Sequence, residues 1–574
     1  VKGEVKVAVQ KEWILVQQPD RATVTEIADG TGIHTRVASV LASRGFDAES
    51  ARKFLNPSLG DLHDPLSMNE MDKAAERVVR AIRENEPVVI HGDYDVDGIS
   101  GVALLYLFLK RHGCHVYYYI PNRIDEGYGL SSQGVMWSAE KHAGLLITVD
   151  TGTTDLDEIE LAVKSGMDVI VADHHEPGPD MPRAYAILNP KRRDAEYPFS
   201  ELSGCGVAYK LRQAIALKLG EESEDDREDL DLVALATVCD VVPMIDENRV
   251  LAKFGIETLR DTKRAGIIAL KDVARLREKE LNVYHLGFVL GPRLNAAGRI
   301  ASASESVKLL TTESLEEAEM IANRLDAQNR KRKELNEKIF GEASAMVEEH
   351  LDLSTTAGIV LASSDWHEGV IGIVASKIAE RYHRPTIIIS TDGEEGRGSG
   401  RSVSGVSLYE ALLRCADTLQ DFGGHEQAAG LTITPENIPA FRERFDAAVR
   451  EQVSIEELVP RIRVDAELRV SDIDEHLFSS LELMRPFGIS NSRPVFLSEA
   501  TEVVGFPAIV GKSHLKFRVR DGAAVQECIG FWMGERLDTV VLRPKIDLVY
   551  GVHLDEYLGR RKFSLHIKDF RAAQ

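Results

Sequence analysis

The stretch Val169-Ile170-Val171-Ala172-Asp173-His174-His175 decides how the rest of the chain is read. Its apolar half, rich in β-branched residues, predicts a buried strand, and the run breaks off in one carboxylate and two imidazoles instead of a turn residue. Ligands of open α/β sheets bind at the carboxyl edge of the strands, so an ending of this kind marks a candidate site. Three further apolar stretches carry acids or histidine in the same way. Val88-Val89-Ile90 runs into His91-Gly92-Asp93-Tyr94-Asp95-Val96-Asp97-Gly98, and Leu145-Leu146-Ile147-Thr148-Val149 runs into Asp150-Thr151-Gly152. The apolar stretch from Leu232 to Val242 holds Asp240, where a bare carboxylate is costly unless a cation or a donor satisfies it. Any one of these acids alone reads as a helix cap or a turn residue; the four stretches together read as a metal-binding edge.

Outward from this edge the chain predicts an α/β multidomain protein. Residues 1–85 read as a leading strand and short helices that pack on the domain that follows, with Met71 to Glu84 as a strongly patterned helix. Across 86–314, alternating strand and helix patterns predict a parallel sheet covered on both faces, and Gly291-Pro-Arg-Leu-Asn-Ala-Ala-Gly-Arg299 predicts a Gly-bounded turn. Residues 315–352 are charged, helical in pattern and free of Pro, which predicts a long linking helix. A smaller α/β domain occupies 353–450, with Gly396-Arg-Gly-Ser-Gly-Arg401 and Phe422-Gly-Gly-His-Glu-Gln-Ala-Ala-Gly430 as its Gly-rich stretches. From 459 to 574, short strands with turn signals predict a small OB-type barrel. Lys512, Lys516, Arg518, Arg520, Arg560, Arg561 and Lys562 near its strands offer a nucleic-acid-binding face.

Composition narrows the class. The 574 residues carry a formal charge of −23, which opposes nonspecific coating of nucleic acid and leaves room only for a local basic groove. The acidic run from Gly220 is read as a solvated loop. Five scattered cysteines without a C-x-x-C pair predict reduced thiols and no zinc site. With no membrane-spanning run and no secretory pattern, the expected location is cytoplasmic and no membrane contact is expected. Asp and His ligands from several strand ends suit two divalent cations, Mn2+ or Mg2+, set to clamp the oxygens of a phosphoryl displacement. No G-x-x-x-x-G-K-[ST] loop is present, so ATP hydrolysis is not indicated.

The set His91-x-x-x-Asp95-x-Asp97, Asp150-x-Gly152, Asp173-His174-His175 and Asp240 resembles the DHH phosphoesterases. With Gly291–Arg299 and Gly423–Gly430 added, nearly the whole chain is similar to the single-strand-specific 5′ to 3′ DNA exonucleases of that family. The resemblance implies that 353–450 is a DHHA1-type domain. It implies that His91 and Asp95 bind one metal, that Asp97, His174 and Asp240 bind the other, and that Asp150 bridges them. His175 would then stand beside the scissile phosphate as hydrogen-bond donor or general acid, or serve only as a structural partner of Asp173. Asp173 would orient the cluster.

By the same resemblance Arg293, Asn295 and Arg299 hold a phosphate, and Ser399 and Arg401 with Arg123 form a pocket for the terminal 5′ phosphate. Tyr128 stacks on a base or is an ordinary loop tyrosine. His425 reaches the phosphates or is satisfied by backbone; Trp366 and His367 stand at a helix start facing the cleft. The implied role is DNA repair and recombination, by a monomer to which a helicase and a single-strand-binding protein bring unpaired ends. The alternatives are a phosphodiesterase acting on short oligonucleotides or cyclic dinucleotides, and a metal-free DNA-binding scaffold.

Overall fold

The computed structural model describes residues 11–123, 126–221, 227–300, 302–557 and 560–573. They divide into two compact units. The first is Glu49–Arg330 with Leu481–Arg493; the second is the chain up to Ala48, Lys331–Ser480, and Pro494 onward. The stretch expected to lead into the sheet domain is divided between the two units at Ala48 and Glu49. Strand β1 (Glu12–Leu15) pairs in parallel with Arg461–Val464, and Arg44 bonds Asp465 at 3.3 Å, so hydrogen bonding ties this segment to the later half of the chain.

In the first unit, β2 (Val88–Gly92), β3 (Val116–Tyr119), β4 (Leu145–Val149), β5 (Asp168–Ala172) and β6 (Ala186–Leu188) form one parallel sheet in the order β3-β2-β4-β5-β6. Every residue of β2 and β4 is buried, which is why these strands read as continuous apolar runs without alternation. The chain leaves β2 towards β3 and returns on the other side as β4, so the topological switch point lies between the strand that carries His91 and the strand that precedes Asp150. Helices Val96–Arg111, Gly204–Leu219 and Leu230–Cys239 pack against one another beside the sheet. Asp240 is the C-cap of the last of these, so its apolar stretch is a helix.

Gly291–Ile300 is also a helix, a correction to the expected turn. A π-helical turn, Leu286–Leu290, runs directly into it, and Pro292 stands at that junction. The long helix runs Leu315–His350.

In the second unit, β7 (Ile359–Ser363), β8 (Thr386–Thr391), β9 (Gly396–Arg401), β10 (Asp421–Gly424) and β11 (Ala428–Ile433) form a mixed sheet in the order β10-β11-β9-β8-β7. Buried Arg384 donates to the carbonyls of Leu353, Thr356, His383 and Leu458, stapling the segments at one end of that sheet. After β12 (Arg461–Val464) and β13 (Ala466–Glu467) come β14 (Phe496–Val510), β15 (His514–Asp521), β16 (Ala524–Gly530), β17 (Lys545–Tyr557) and β18 (Arg560–Ala572). The β14–β17 pairing closes these last five strands into a barrel. Its basic residues are partly neutralised: Lys516 and Lys562 both pair with Glu527, and Arg520 lies 3.7 Å from Glu502. The cysteines are all free thiols, and no described helix is long and apolar enough to cross a membrane. The acidic run falls partly on residues 222–226, outside the described residues.

One buried ion pair joins the helix Gly204–Leu219 to the helix Asp246–Arg260. Lys210 Nζ lies 2.5 Å from Glu247 Oε1 with both side chains fully buried, and the Tyr197 hydroxyl and His63 N–H donate to the same carboxylate. Lys210→Met leaves Glu247 buried without its cation, so urea unfolding should show a loss of about 3–5 kcal/mol.

Candidate metal centre

The carboxyl edge of the sheet gathers six aspartates and three histidines. Asp95 caps the helix Val96–Arg111, accepting from the N–H groups of Asp97 at 2.8 Å and Gly98 at 3.3 Å. Asp97, two residues on, accepts from Gly204 N–H at 2.6 Å and Cys205 N–H at 2.8 Å, so the amino end of a second helix holds its carboxylate. Asp150 follows β4 in the left-handed region at φ +61°, a backbone conformation that costs energy in a non-glycine residue and recurs at functional sites. His174 Nε2 then stands 3.2 Å from Asp150 Oδ1, 3.6 Å from Asp240 Oδ2 and 3.8 Å from Asp97 Oδ2.

Ligand atoms converge in three overlapping groups, each within 4.8 Å: Asp93–Asp95–Asp150, Asp97–His174–Asp240, and Asp150–His174–His175. Asp150 belongs to two of them. Among the described residues, both ring nitrogens of His91, Oδ1 of Asp93 and Asp150, and Nε2 of His174 are buried without a hydrogen-bond partner. Buried polar atoms are ordinarily satisfied, so this concentration of orphans fits a site built around cations.

Electrostatics agree. Burial, then the charge of Asp95, pushes Asp97 up to about 7. Burial, then Asp97, holds Asp150 and Asp240 well above the usual carboxylate range, and burial with Asp95 does the same for Asp93. Burial lowers His91 to about 4 and, with the adjacent His175, lowers His174 to about 3, leaving both imidazoles neutral and free to coordinate. Asp173 differs. Burial acts to raise it, but the bond from His175 at 2.8 Å and the N–H of Thr153 at 3.0 Å outweigh burial and hold it below its ordinary value. In return, burial acts to lower His175, yet the Asp173 carboxylate raises it overall.

The remaining expected residues fall in several places. The Tyr128 ring is 54% exposed while its hydroxyl lies 2.9 Å from His175 Nε2, and Arg123 is stacked 5.1 Å over the Tyr94 ring. Arg293 is held by Asp326 at 3.0 Å and the Val289 carbonyl at 2.6 Å, and Asn295 Oδ1 is buried without a partner. The Arg299 side chain lies outside the described residues. The helix that carries all three is pressed onto the site: a Cβ on Gly298 would lie 2.9 Å from the Tyr94 carbonyl, and one on Gly291 would lie 2.3 Å from Cys239 Sγ.

In the second unit, Arg401 reaches Ser399 Oγ at 3.3 Å, and both sit beside Gly372 of the helix Glu368–Tyr382. His425 is exposed in the β10–β11 turn, where its own N–H bonds Ala428. Trp366 is buried and bonds Glu342 at 2.9 Å, which corrects the expectation that it faces a cleft; His367 caps the helix.

Residues 87–237 match the DHH family, N-terminal domain, 355–451 the DHHA1 domain, and 464–569 the RecJ OB domain. Single-stranded-DNA-specific exonuclease RecJ of Bacillus subtilis (strain 168) is 39% identical over 558 residues, 96% of this chain and 70% of that protein. The chain belongs to the RecJ family of single-stranded-DNA-specific exonucleases. The crystal structure of RecJ in complex with Mn2+ from Thermus thermophilus aligns with a TM-score of 0.84 at 27% identity, over 98% of this chain and 80% of that one. The Mg2+ complex from the same organism aligns with a TM-score of 0.78 at 25% identity, over 98% and 79%.

Within this RecJ family member, three residues join the site that the strand-end reading did not assign to it. Asp93 belongs to a ligand group, a role its place in the Asp93-Tyr-Asp95-Val-Asp97 run could have signalled. Asn189, the polar residue that follows β6, donates to Thr153 Oγ1 and to the His175 carbonyl, both at 2.9 Å. Gly204 gave no local signal. A Cβ there would lie 2.6 Å from Asp150 Cβ and 2.8 Å from its Cα. Gly204→Ala should therefore displace Asp150 and lower nuclease activity on the order of 100-fold, while circular dichroism shows the fold retained.

Proposed function

We propose that this RecJ-family exonuclease removes nucleotides from the 5′ end of single-stranded DNA by a two-metal mechanism at the sheet edge. The convergence of orphaned buried ligand atoms at that edge carries the reading. His91, Asp95 and Asp150, with Asp93 beside them, would hold one cation; Asp97, His174, Asp240 and Asp150 would hold the other. Mn2+ and Mg2+, the ions in the relatives' structures, both accept this mixture of carboxylate and imidazole. Bound there, they supply Lewis-acid stabilisation of the phosphate charge and a water activated for attack.

The chain's own groups do the rest. Asp173 fixes His175 with its proton directed along the Nδ1 bond, and Tyr128 meets Nε2. Protonated His175 donates towards the 3′ oxygen that leaves as the phosphodiester bond breaks. On the helix beside Tyr94, Arg299 and Asn295 bind a phosphate; the Asp326 partner of Arg293 gives that arginine a structural share in the same helix. Ser399 and Arg401, adjacent on one strand face, form a phosphate-binding pair for the 5′ terminus, and Arg123 is a further phosphate contact. The barrel's remaining basic residues contact the trailing strand. The reading places the enzyme in DNA repair and recombination.

Single-stranded DNA labelled at either end should release mononucleotides from the 5′ end only, and Asp150→Ala should abolish release. Digestion from the 3′ end, or hydrolysis of dinucleotides alone, would overturn the proposal.

The pH profile tests His175. Its raised pKa keeps the imidazolium to higher pH, so activity should fall as pH rises through that value. Asp173→Asn removes the raising charge and should move the alkaline limb to lower pH. An unmoved limb would assign the titration to another group.

A further inference from the structure

Beside Asp240 the surface turns abruptly from acidic to apolar. Val241, the next residue, is 61% exposed and held at φ +62°, a left-handed conformation that a β-branched side chain strongly disfavours. Folding draws little from this arrangement, because the strained side chain points into water and is not packed in the core. A second exposed β-branched residue is fastened to the same loop. Ile489, 52% exposed, accepts Met244 N–H at its carbonyl at 2.8 Å and is followed by Ser490 at φ +59°.

That fastening is firm. Asn491 donates to the carbonyls of Met484 and Pro486 at 2.9 and 2.8 Å, and Arg249 donates to those of Leu483 and Arg485 at 3.0 and 2.7 Å. A third exposed element is tied to the helix that ends in Asp240. Cys239 Sγ lies 3.6 Å from the Leu286 carbonyl, and flanking that residue Tyr284 and Phe288 stack at 5.4 Å and 21° while exposing 61% and 70% of their surfaces.

We infer that Val241 and Ile489, with the Tyr284–Phe288 stack, form an apolar rim that packs on nucleobases of the substrate strand next to the scissile phosphate. The occupant follows from continuity with the metal centre. A strand whose phosphate is held beside Asp240 must carry its bases past the adjoining residues, and unpaired bases expose the faces that aromatic and branched side chains cover. Paired bases have those faces stacked within the duplex. The rim is thus a specificity element for unpaired DNA, and it rests on the reading of Asp240 as a metal ligand.

The test uses Val241→Gly, Ile489→Ser and Phe288→Ala in the full chain, on a natural single strand and on one carrying abasic sites through its first nucleotides. Each variant should raise KM on natural DNA, and the dissociation constant measured by fluorescence anisotropy without divalent metal, by about five- to tenfold. On the abasic strand, variants and parent should coincide. Glycine at position 241 also relieves the backbone, so the melting temperature of Val241→Gly should hold or rise by about 2 °C.

Unchanged KM, an equal rise on the abasic strand, or a fall in melting temperature that tracks the rise in KM would each overturn the inference. Asp240→Ala separates the two readings. If it is inactive while the rim variants bind normally, the metal assignment stands and the rim falls.

Discussion

The burial of several carboxylates together at one sheet edge is the constraint on which the site depends. Asp93, Asp97 and Asp150 are almost completely buried at one sheet edge, and Asp95 and Asp240 are half-buried beside them. Burial first, and then the charge of neighbouring aspartates, holds Asp93, Asp97, Asp150 and Asp240 above the ordinary carboxylate range, so the ionised form of the group is costly. Divalent cations held there would relieve that cost. The neighbouring secondary structure offers only partial relief, through the capped start of one helix at Asp95 and the amino end of another at Asp97.

The same constraint explains the neutral imidazoles. His91 and His174, buried among acids that would favour their protonation, are nevertheless driven down by loss of solvent and remain available as ligands. His175 stands at the mouth with a 42% exposed side chain, takes a dedicated carboxylate partner and keeps its proton more readily. Two adjacent histidines thus acquire different chemistry from a difference in burial and one hydrogen bond. The parallel sheet makes the juxtaposition possible, because a switch point between β2 and β4 brings the ends of strands from distant parts of the chain together.

Charge is handled differently in the barrel. Lys516, Lys562 and Arg520 are paired with glutamates on its surface, which tempers the basic character that the sequence shows there. For a chain with a formal charge of −23, affinity for a polyanion then depends on small numbers of positioned cations.

Much of this was written locally. β-Branched runs ending in Asp or His gave away β2, β4 and β5 and the acids beyond them, because a strand buried on both faces needs continuous apolar sequence and its carboxyl end is free for polar residues. The long helix and the barrel were equally legible from period and turn signals. What tertiary structure decided lies in pairs remote in sequence. Gly204 must lack a side chain because it abuts Asp150, Asn189 pins the His175 backbone, Pro292 opens a helix where a turn was expected, and the segment before Glu49 belongs with strands beyond residue 460. Periodicity and composition record each residue's own preference for water or for a backbone conformation. Which distant neighbour fills the adjacent space is settled only when the chain has folded, because packing depends on both partners at once.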